Sequence, residues 1–480
     1  MDSSFFSFFS REQIRLLRDH VLNLLAEQGV QLDEHPEMFQ ILSAAGAQVD
    51  DKAHMVRFPR RMVEKHLEMV PKKFILGARN PEKTLPLPHP DGSFYARTGT
   101  GAHGWIDPET TDYRKVTRSD LAHWAKLVNH LDQISFIPFL FANDVPNETA
   151  DVHGLSTLLN NTDKHVWVQP YSIGSIPYLL KMAELIAGGK QALKTNPVIS
   201  IIACSLTPRC FKDMDIEIIL QSGRASIPIH ACSLPGAGGT APVTVPGVIL
   251  LAAAEIIAMA VMAQSVAPGT PVIASPIIFS MDMQSGRSLQ SSADAQKAAS
   301  GANQLIKAAF QLPTHNYGSG TDAVHLGVQS QVERTMLSML MALSGSDILG
   351  GAGQLETATA VSPLQLIIDD EILATIRHTV SGISLDDDQL ALKEIAAIEP
   401  SQHFLTNDHT LKHCRTGYRP HLFFRQTRDK WAKDGKKGLM EKTLDTYRTI
   451  MAKSNPCRLA ADVASKLESI CHAADVQIAD

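Results

Sequence analysis

Short apolar runs alternate with amphipathic stretches along most of the chain. The first apolar run is SFYARTGTG (93–101), and the amphipathic stretch TRSDLAHWAKLVNHL (117–131) follows it. We interpret each apolar run as a buried strand and each amphipathic stretch as a helix. The same order recurs seven more times, with apolar runs SFIPFLFAND (135–144), HVWVQPYS (165–172), VISIIACSL (198–206), IPIHACSLPGAGG (227–239), PVIASPIIFS (271–280), LPTHNYGSG (312–320) and DILGGAGQLE (347–356).

Eight strand–helix units in succession predict a parallel sheet, because each crossover between parallel strands then passes through a helix. Eight is the number of units in a (β/α)8 barrel. An open, doubly wound sheet is the alternative, but it usually has fewer strands, and no GxGxxG motif opens the first helix. We therefore predict an α/β protein whose residues 91–385 form a (β/α)8 TIM barrel.

The two ends of the chain have a different pattern of apolar and polar residues from the predicted barrel. Residues 1–90 contain SREQIRLLRDHVLNLLAEQGV, whose apolar positions recur at helical spacing, so we expect an N-terminal helical extension. Residues 386–480 are more polar and also helical in pattern. We expect this C-terminal helical region to pack on the barrel or to form subunit contacts in a homo-oligomer.

Composition excludes several classes of protein. The 480 residues carry a formal net charge of −6 and no long basic run, which argues against nucleic-acid binding. Six scattered cysteines without a CxxC pair favour a reducing, cytoplasmic location, and MDSSFFSFFSREQ lacks the basic region of a signal peptide. The apolar stretch GVILLAAAEIIAMAVMAQ (247–264) has Glu255 at its centre, so we expect a buried helix and no membrane span.

Polar and aromatic residues gather where the predicted strands end, which is where barrel enzymes place their chemistry. Each of them also has a plainer interpretation: His230 could be a hydrogen-bonded core histidine, and Trp167 could serve packing alone. Their number at strand ends favours a site. The residues are Tyr95, Arg97, Thr98, Asn143, Asp144, Trp167, Gln169, Tyr171, Cys204, Ser205, His230, Cys232, Ser233, His315, Asn316, Tyr317, Gln354 and Glu356.

Common catalytic motifs do not account for this cluster. The sequence has no GxSxG nucleophile elbow, and GAGGTAP (236–242) lacks the GK[ST] of a phosphate-binding loop. His230, Cys232 and His315 could converge on a metal ion, although no HxH or HExxH spacing supports them. A metal-assisted barrel enzyme therefore stays open as an alternative, while the main prediction includes no metal.

Several segments together resemble the trimethylamine methyltransferase family, in its branch that lacks pyrrolysine and is similar to glycine betaine:corrinoid methyltransferases. The resemblance extends over nearly the whole chain. The segments are LLAEQGVQLDEHPEMFQILSAAGAQVD (24–50), KFILGARNPEKTLPL (73–87), SLPGAGGTAPVTVPGVILLAAAEIIA (233–258), HFLTNDHTLKHCR (403–415) and RDKWAKDG (428–435).

The resemblance implies a barrel enzyme that demethylates a methylated amine and passes the methyl group to cob(I)alamin on a separate corrinoid protein. The trimethylamine enzymes carry pyrrolysine just after the seventh strand, whereas GSGTDAVHLGVQSQVE (318–333) has only ordinary residues. This difference favours a quaternary amine, above all glycine betaine, which would give dimethylglycine. No DxHxxG segment is present, so we expect the corrinoid, as methylcobalamin after transfer, to belong to the partner and not to this chain.

A quaternary nitrogen leaves as a neutral tertiary amine, so the enzyme's task is positioning and electrostatics, and we assign no acid or base. Aromatic faces would hold the cation, with Glu356 or Asp144 balancing its charge. The candidate aromatic residues are Tyr95, Trp167, Tyr171 and Tyr317, and the candidate donors to a substrate carboxylate are Arg97, Asn161, Gln169, His230 and His315.

The sequence leaves three matters open. Glycines would let the corrinoid approach the backbone closely, and the candidates are Gly99, Gly101, Gly236, Gly238, Gly239, Gly350 and Gly351. Proline betaine, carnitine and γ-butyrobetaine remain alternative substrates, because they differ mainly in the pocket shape that each requires. A protein that binds betaine without catalysis is the other alternative.

Overall fold

A closed barrel of eight parallel strands forms the centre of the protein in the computed structural model, which describes residues 6–479. All eight predicted strands are present, which confirms the predicted (β/α)8 architecture. Neighbours pair in the order β6-β5-β4-β3-β2-β1-β8-β7, and a parallel bridge from Ala274 to Thr314 joins β6 to β7. The strands are β1 Tyr95–Thr98, β2 Phe136–Pro138, β3 His165–Val168, β4 Ile199–Cys204, β5 Ile229–Ser233, β6 Val272–Pro276, β7 His315–Tyr317 and β8 Ile348–Ala352.

Helices surround the barrel, and one or two follow each strand. Three precede it, α1 Arg11–Glu27, α2 Pro36–Ala45 and α3 Arg60–Met69. Those that follow barrel strands are α4 Arg118–Val128, α5 Ala150–Asn161, α6 Ile176–Ala187, α7 Lys190–Thr195, α8 Asp213–Ala225, α9 Val245–Val266, α10 Ala293–Leu305, α11 Val328–Leu343 and α12 Pro363–Thr379. The C-terminal helices are α13 Asp387–Leu390, α14 Leu392–Ala397, α15 Asp408–His413, α16 Arg428–Lys433, α17 Leu439–Ala452 and α18 Ala461–Ala474.

Short strands outside the barrel lie at both of its ends. The N-terminal extension is not purely helical, because three of its short strands form a sheet in which Val30–Leu32 also pairs with Cys210–Phe211, beyond β4. The peripheral strands are Val30–Leu32, Gln48–Asp50, Met55–Arg57, Phe74–Leu76, Leu85–Leu87, Gly104–Ile106, Tyr113–Lys115, Cys210–Phe211, Gly236–Ala237, Phe279–Met281, Ser288–Leu289, Gln354–Leu355 and Ala360–Val361.

Helix α9 is long and apolar enough to cross a membrane, but 78% of its most apolar window is buried inside the protein. It packs against α1, α3, α8 and α10, as a core helix does. Its buried Glu255 accepts hydrogen bonds from the hydroxyls of Ser205, Thr207 and Ser233 at 2.5, 2.8 and 2.6 Å, and from the backbone N–H of Arg209 at 2.7 Å. These bonds satisfy the buried carboxylate and connect the loop after β4 and the end of β5 to α9.

The C-terminal region contacts the barrel through its last two long helices. Helix α17 packs on α12 and α4, and α18 packs on α5 and α6. Residues between α12 and α16 are more exposed and include several large apolar side chains. The first five residues of the N-terminal stretch MDSSFFSFFSREQ lie outside the described residues.

Candidate active site

Inward-facing positions of five strands place polar side chains inside the barrel. Alternation along a strand sends every second side chain to the interior, so His165 and Trp167 of β3 share that direction. Trp167 packs edge-on against His230 and His315, with ring centroids 5.5 and 5.6 Å away. Arg97 reaches the same cluster from β1, and its Cζ lies 4.3 Å from the centre of the Trp167 ring.

An unbroken chain of hydrogen bonds crosses the barrel interior. It runs from Arg97 Nε to His315 Nε2 (2.8 Å), from His315 Nδ1 to His230 Nδ1 (3.2 Å), and from His230 Nε2 to Ser200 Oγ (3.0 Å). Ser200 Oγ then contacts His165 Nε2 at 2.8 Å, and His165 Nδ1 contacts a backbone carbonyl of the N-terminal extension at 2.7 Å.

The two ends of this chain fix the direction of every bond in it. A guanidinium can only donate, so His315 accepts at Nε2 and carries its proton on Nδ1. His230 therefore accepts at Nδ1 and donates from Nε2 to Ser200. At the other end a carbonyl can only accept, so His165 carries its proton on Nδ1 and accepts from the Ser200 hydroxyl. All three histidines are neutral, and each donates one hydrogen bond and accepts one.

Burial supports the same protonation states. It lowers the pKa of His165 from 6.5 to about 4 and the pKa values of His230 and His315 well below 6.5, because a charged imidazole would lose its hydration. The neighbouring Arg97 charge lowers the pKa values of His230 and His315 further. In this cluster the Arg97 cation therefore lies beside neutral imidazoles.

Arg97 is fully buried and lacks an anionic partner. Nη1 donates to Thr98 O at 2.7 Å, while Nη2 is buried and makes no hydrogen bond. Within residues 6–479, no aspartate or glutamate lies at ion-pair distance from this guanidinium. Arg334, another fully buried arginine, is instead paired with Asp369 at 2.6 Å. Since buried charges are normally paired, the Arg97 guanidinium can bind an anion that comes from outside the chain.

Further buried polar atoms without partners lie in the loops above Arg97. Gln354 Nε2 donates to Gln290 Oε1 at 2.7 Å, which leaves Gln354 Oε1 and Gln290 Nε2 buried and unpaired. Trp167 Nε1 and the Tyr171 hydroxyl are buried and unpaired as well. Buried polar groups are rarely left unsatisfied, so unpaired groups at the strand ends indicate a site that completes its hydrogen bonds with a ligand.

The residues of the predicted aromatic cage fall into two groups in the structure. Trp167 and Tyr317 face the guanidinium of Arg97, whose Cζ lies 4.3 and 5.3 Å from their ring centres. One face of each ring is therefore already in contact with a cation of the protein itself. The sequence could not show which cation these rings would meet. Tyr171 differs: it is partly exposed at the end of β3, and its ring packs with Phe139 and Phe141 at centroid distances of 5.7 and 5.4 Å.

Two predicted site residues lie at the opposite end of the barrel. Tyr95 opens β1, and its ring contacts His89 at 4.7 Å, below Arg97 and away from the strand ends. Asn161 ends α5, whose C-terminus returns to the start of β3, and there Asn455 donates to its carbonyl at 3.0 Å. Neither residue therefore belongs to the cluster. Both residues lie close to a predicted strand in the sequence, but this closeness does not show at which end of the barrel each side chain lies.

Two other predicted residues lie at the mouth of the barrel. Gln169 follows β3, and its Oε1 lies 3.8 Å from a Cβ built on Gly101. Glu356 lies in the loop after β8, partly exposed, with its backbone N–H bonded to Ala323 O at 2.8 Å. Gln169 is thus placed to contact a ligand above Trp167, whereas Glu356 lies on the rim.

Most of the glycines predicted to face a corrinoid make room for side chains of the protein itself. A Cβ on Gly350 would lie 2.7 Å from Arg97 Cζ, and one on Gly351 would lie 2.9 Å from the Tyr317 ring. A Cβ on Gly99 would lie 3.0 Å from Gln354 Cβ. Of the remaining four, a Cβ on Gly236 would lie 3.6 Å from Thr240 Oγ1, and those on Gly238 and Gly239 would contact Met283 and Met281. Gly101 has the most open space around it.

A metal site at His230, Cys232 and His315 does not fit this arrangement. His315 Nε2 already accepts from Arg97, and His230 Nε2 already bonds Ser200. A divalent ion there would lie beside the buried Arg97 cation. In the part of the chain that the structure describes, these three residues do not converge as metal ligands.

Sequence reasoning missed His165, Ser200 and Gln290. His165 lies two residues before Trp167 on the same strand, so alternation would have placed both side chains inside the barrel. Ser200 lies at the corresponding inward position of β4 and carried no chemical signal of its own. Gln290 comes from the loop after β6, and only tertiary structure brings it to Gln354.

Known proteins resemble this chain over nearly its whole length. The trimethylamine methyltransferase MttB of Desulfitobacterium hafniense is 29% identical over 463 residues, covering 96% of this chain and 92% of the relative. The glycine betaine methyltransferase of Desulfitobacterium hafniense is 28% identical over 468 residues, covering 97% and 96%.

A solved structure shares the fold over the same extent. The monomethylamine methyltransferase MtmB of Methanosarcina barkeri matches with a TM-score of 0.55 and 11% sequence identity, covering 98% of this chain and 89% of that one. The sequence profile described as trimethylamine methyltransferase (MTTB) matches residues 2–474. Because that match includes nearly the whole chain, the protein belongs to the trimethylamine methyltransferase family.

Proposed function

We propose that this methyltransferase demethylates a small quaternary amine that carries a carboxylate, with glycine betaine as the first candidate and dimethylglycine as its product. The methyl acceptor is cob(I)alamin, carried by a separate corrinoid protein. One observation carries the choice of substrate class: Arg97 is a fully buried guanidinium with a free Nη2 and, within residues 6–479, no carboxylate partner.

A substrate carboxylate would supply the missing partner of Arg97. Charge-assisted hydrogen bonds between a guanidinium and a carboxylate are among the strongest in proteins. Trimethylamine has no carboxylate and would leave this charge unpaired, so the site favours a betaine. Because His230 and His315 remain neutral, they add no positive charge that would repel the ammonium end of the substrate.

With its carboxylate at Arg97, the substrate would direct its methylated nitrogen towards the mouth of the barrel. The aromatic group of Phe139, Phe141 and Tyr171 lies there, and the backbone N–H of Tyr171 donates to the buried carboxyl of Asp151 at 2.8 Å. Aromatic faces attract quaternary ammonium groups. We therefore assign the ammonium end to Tyr171 and the neighbouring Gln169, in place of Trp167.

The residues of this chain would bind, orient and desolvate the substrate without transferring a proton. Arg97 is held at Nε by His315 and at Nη1 by Thr98 O, so its free Nη2 has a fixed direction. A fixed anchor holds the reacting methyl group at a constant position, which lowers the entropic part of the barrier. The quaternary nitrogen leaves as a neutral amine, which needs no general acid.

The rim of the barrel suits the docking of a protein partner. When bound, the partner's cob(I)alamin would supply the nucleophile for the methyl group. Large apolar side chains are exposed on the loops after β3 to β7, and apolar groups exposed on a surface often mark protein contacts. These residues are Ile173, Leu206, Val243, Met283 and Val324.

Two coarser properties complete the proposal. All six cysteines are free thiols, which suits a cytoplasmic enzyme.

The exposed Val328, Val332 and Met336 recur every four residues on α11 and would form part of a homo-oligomer interface. Sedimentation analysis of the wild type and of Val332→Glu tests that interface, and an unchanged mass would remove it.

A methyl-transfer assay with a substrate panel tests the function. The purified protein is mixed with cob(I)alamin, alone and on a corrinoid protein, and with glycine betaine, proline betaine, carnitine, choline or trimethylamine. We expect methylcobalamin from a betaine and none from choline or trimethylamine, which lack a carboxylate. Activity with trimethylamine alone would overturn the proposal, and betaine binding without transfer would indicate a binding protein.

A further inference from the structure

Three potential metal ligands converge in the C-terminal region, outside the barrel. Asp388, His409 and His413 each offer one ligand atom, and these atoms all lie within 4.8 Å of one another. Two imidazoles and a carboxylate form a common ligand set for Zn²⁺. The two histidines belong to the segment HFLTNDHTLKHCR (403–415), for which the proposed methyl transfer requires no role.

Local structure brings the three ligands together. His409 and His413 are four residues apart on α15, so they project from the same face of the helix. Their ring centroids are 4.3 Å apart. Asp388 comes from α13, which Asp386 caps by accepting a hydrogen bond from the backbone N–H of Gln389. The cluster therefore joins two short helices that are about twenty residues apart along the chain.

The hydrogen bonding of the two histidines is what a metal site requires. His413 Nε2 is buried and makes no hydrogen bond, although it lies 3.0 Å from Asp388 Oδ2. His409 Nε2 bonds the backbone carbonyl of Asp388 at 2.7 Å, so this nitrogen carries the proton and the lone pair lies on Nδ1. Ligating histidines usually donate their other N–H to a carbonyl or carboxylate in this way.

We propose that Asp388, His409 and His413 bind one divalent transition-metal ion, with Zn²⁺ as the best fit. Three protein ligands leave a fourth position for water or for a ligand from another molecule. The site is independent of the proposed methyl transfer, because it lies in the C-terminal region and uses none of the barrel residues.

The charge around the site is compatible with a divalent ion. Lys412 Nζ contacts Asp388 Oδ1 at 2.6 Å and leaves Oδ2 on the side of His413. Asp386 and Asp387 add two further carboxylates beside Asp388. The positive charge of Lys412 weakens the attraction of the site for a metal ion.

A metal at this position would hold together a segment with little other support. Large apolar side chains are exposed along the stretch between α12 and α16, which buries few of them. The residues are Ile383, Leu385, Leu390, Leu392, Ile395, Phe404, Leu405 and Leu411. Binding in the folded state stabilises that state by mass action, so the metal would order α13 and α15 together.

Metal titration of the untagged full-length protein tests the proposal. After chelator treatment, Zn²⁺ and Co²⁺ are added separately, and the bound metal is measured after gel filtration. We expect one ion per chain and a visible Co²⁺ spectrum of the tetrahedral type. Hydrogen exchange should slow in 386–414 on addition of Zn²⁺ and should not change around the barrel strands.

Matched variants locate the site. His413→Ala and His409→Ala should each lose the stoichiometric ion, while His472→Ala, which removes an exposed histidine from α18, should keep it. Lys412→Met should bind Zn²⁺ several-fold more tightly than the wild type, because a competing cation is gone. Circular dichroism confirms that each variant is folded.

Three results would overturn the proposal. They are no stoichiometric metal on the wild type, unchanged binding in both His409→Ala and His413→Ala, and binding that is lost only on substitution of His315. The last result would place the ion in the barrel. Methyl transfer is assayed separately, so its failure would leave the metal result unaffected.

Discussion

Gly350 faces the guanidinium of Arg97, and a Cβ built on Gly350 would lie 2.7 Å from Arg97 Cζ. Close-packed interiors do not tolerate such an approach, so any larger residue must displace Arg97. We predict that Gly350→Ala folds but binds glycine betaine at least about tenfold more weakly, which isothermal titration calorimetry measures. Gly417→Ala is the control, because a Cβ there meets nothing within 4 Å. Unchanged affinity in Gly350→Ala would remove Arg97 from the binding site.

Arg97 and Arg334 are both fully buried, but only Arg334 has a carboxylate partner. Arg97→Met should weaken betaine binding by about 10- to 100-fold, because a charge-assisted bond is lost. The same variant should unfold at equal or higher denaturant concentration, since an unpaired buried charge is removed. Arg334→Met should instead lose about 3–5 kcal/mol of stability, because Asp369 remains buried and unpaired. Equal loss of stability in both variants would show that Arg97 has a purely structural role.

Ser200 lies in the middle of the hydrogen-bond chain, so removal of its hydroxyl should affect the histidines on both sides of it. Ser200→Ala leaves His165 Nε2 without a donor and His230 Nε2 without an acceptor, at about 1–3 kcal/mol for each unsatisfied group. Chemical denaturation measures this loss. Ser346→Ala is the control, since the Ser346 hydroxyl makes only one bond, to Ile348 O at 3.0 Å. A Ser200→Ala loss no larger than that of the control would contradict a connected chain.

Nitrogen-15 NMR of the imidazoles tests the direction of that chain. We expect Nδ1–H on His165 and His315 and Nε2–H on His230, all neutral at pH 7, because Arg97 and the carbonyl at the far end fix the pattern. Replacement of Arg97 by Met should release His315 from its single tautomer. A charged His315 in the wild type would refute the assignment.

The buried neutral histidines should make the fold sensitive to acid. Burial lowers the pKa of His165 from 6.5 to about 4, and those of His230 and His315 well below 6.5. Between these values the unfolded chain binds more protons than the folded one, so stability falls as the pH drops from about 6.5 towards 4. Each histidine contributes about 1.4 kcal/mol per pH unit. Above pH 7 these groups should have no effect.

Urea unfolding at a series of pH values measures this dependence. His165→Asn should remove about one proton from the slope, whereas His472→Asn, which changes an exposed histidine, should leave the slope as it is in the wild type. A wild-type stability that stays constant from pH 7 to pH 5 would show that the three histidines are not held neutral by the fold.

The strands of the barrel could be predicted because burial and periodicity are local properties of the sequence. The centre of SFIPFLFAND is apolar and the segment precedes an amphipathic stretch, and the structure contains β2 Phe136–Pro138 within it. The extent of that strand could not be predicted, because pairing with β3 and β1 determines where it ends. Short strands such as Gln354–Leu355 have no comparable signal, since their partners come from elsewhere in the chain.

The site could be predicted only as a set of residue types at strand ends. Trp167, His230, His315 and Arg97 do meet inside the barrel, as alternation implies. Which partner each one takes depends on side-chain reach across the barrel, and periodicity contains no information about it. For this reason the sequence predicts a substrate cation at Trp167, whereas in the structure the ring packs on Arg97.

The apolar rim provides the last prediction, which separates partner docking from substrate binding. Leu206 and Val243 are exposed on the loops after β4 and β5, beyond the residues that would contact the substrate. Leu206→Glu and Val243→Glu should keep glycine betaine affinity and stability, because neither side chain is buried. Methyl transfer to the corrinoid protein should fall at least about tenfold at sub-saturating partner, since a charge would have to be desolvated in the interface. Transfer to free cob(I)alamin should be nearly unchanged, which serves as the internal control. Equal loss with free and protein-bound cobalamin would show that the rim shapes the substrate site, and an unchanged rate with both would place the partner elsewhere on the surface.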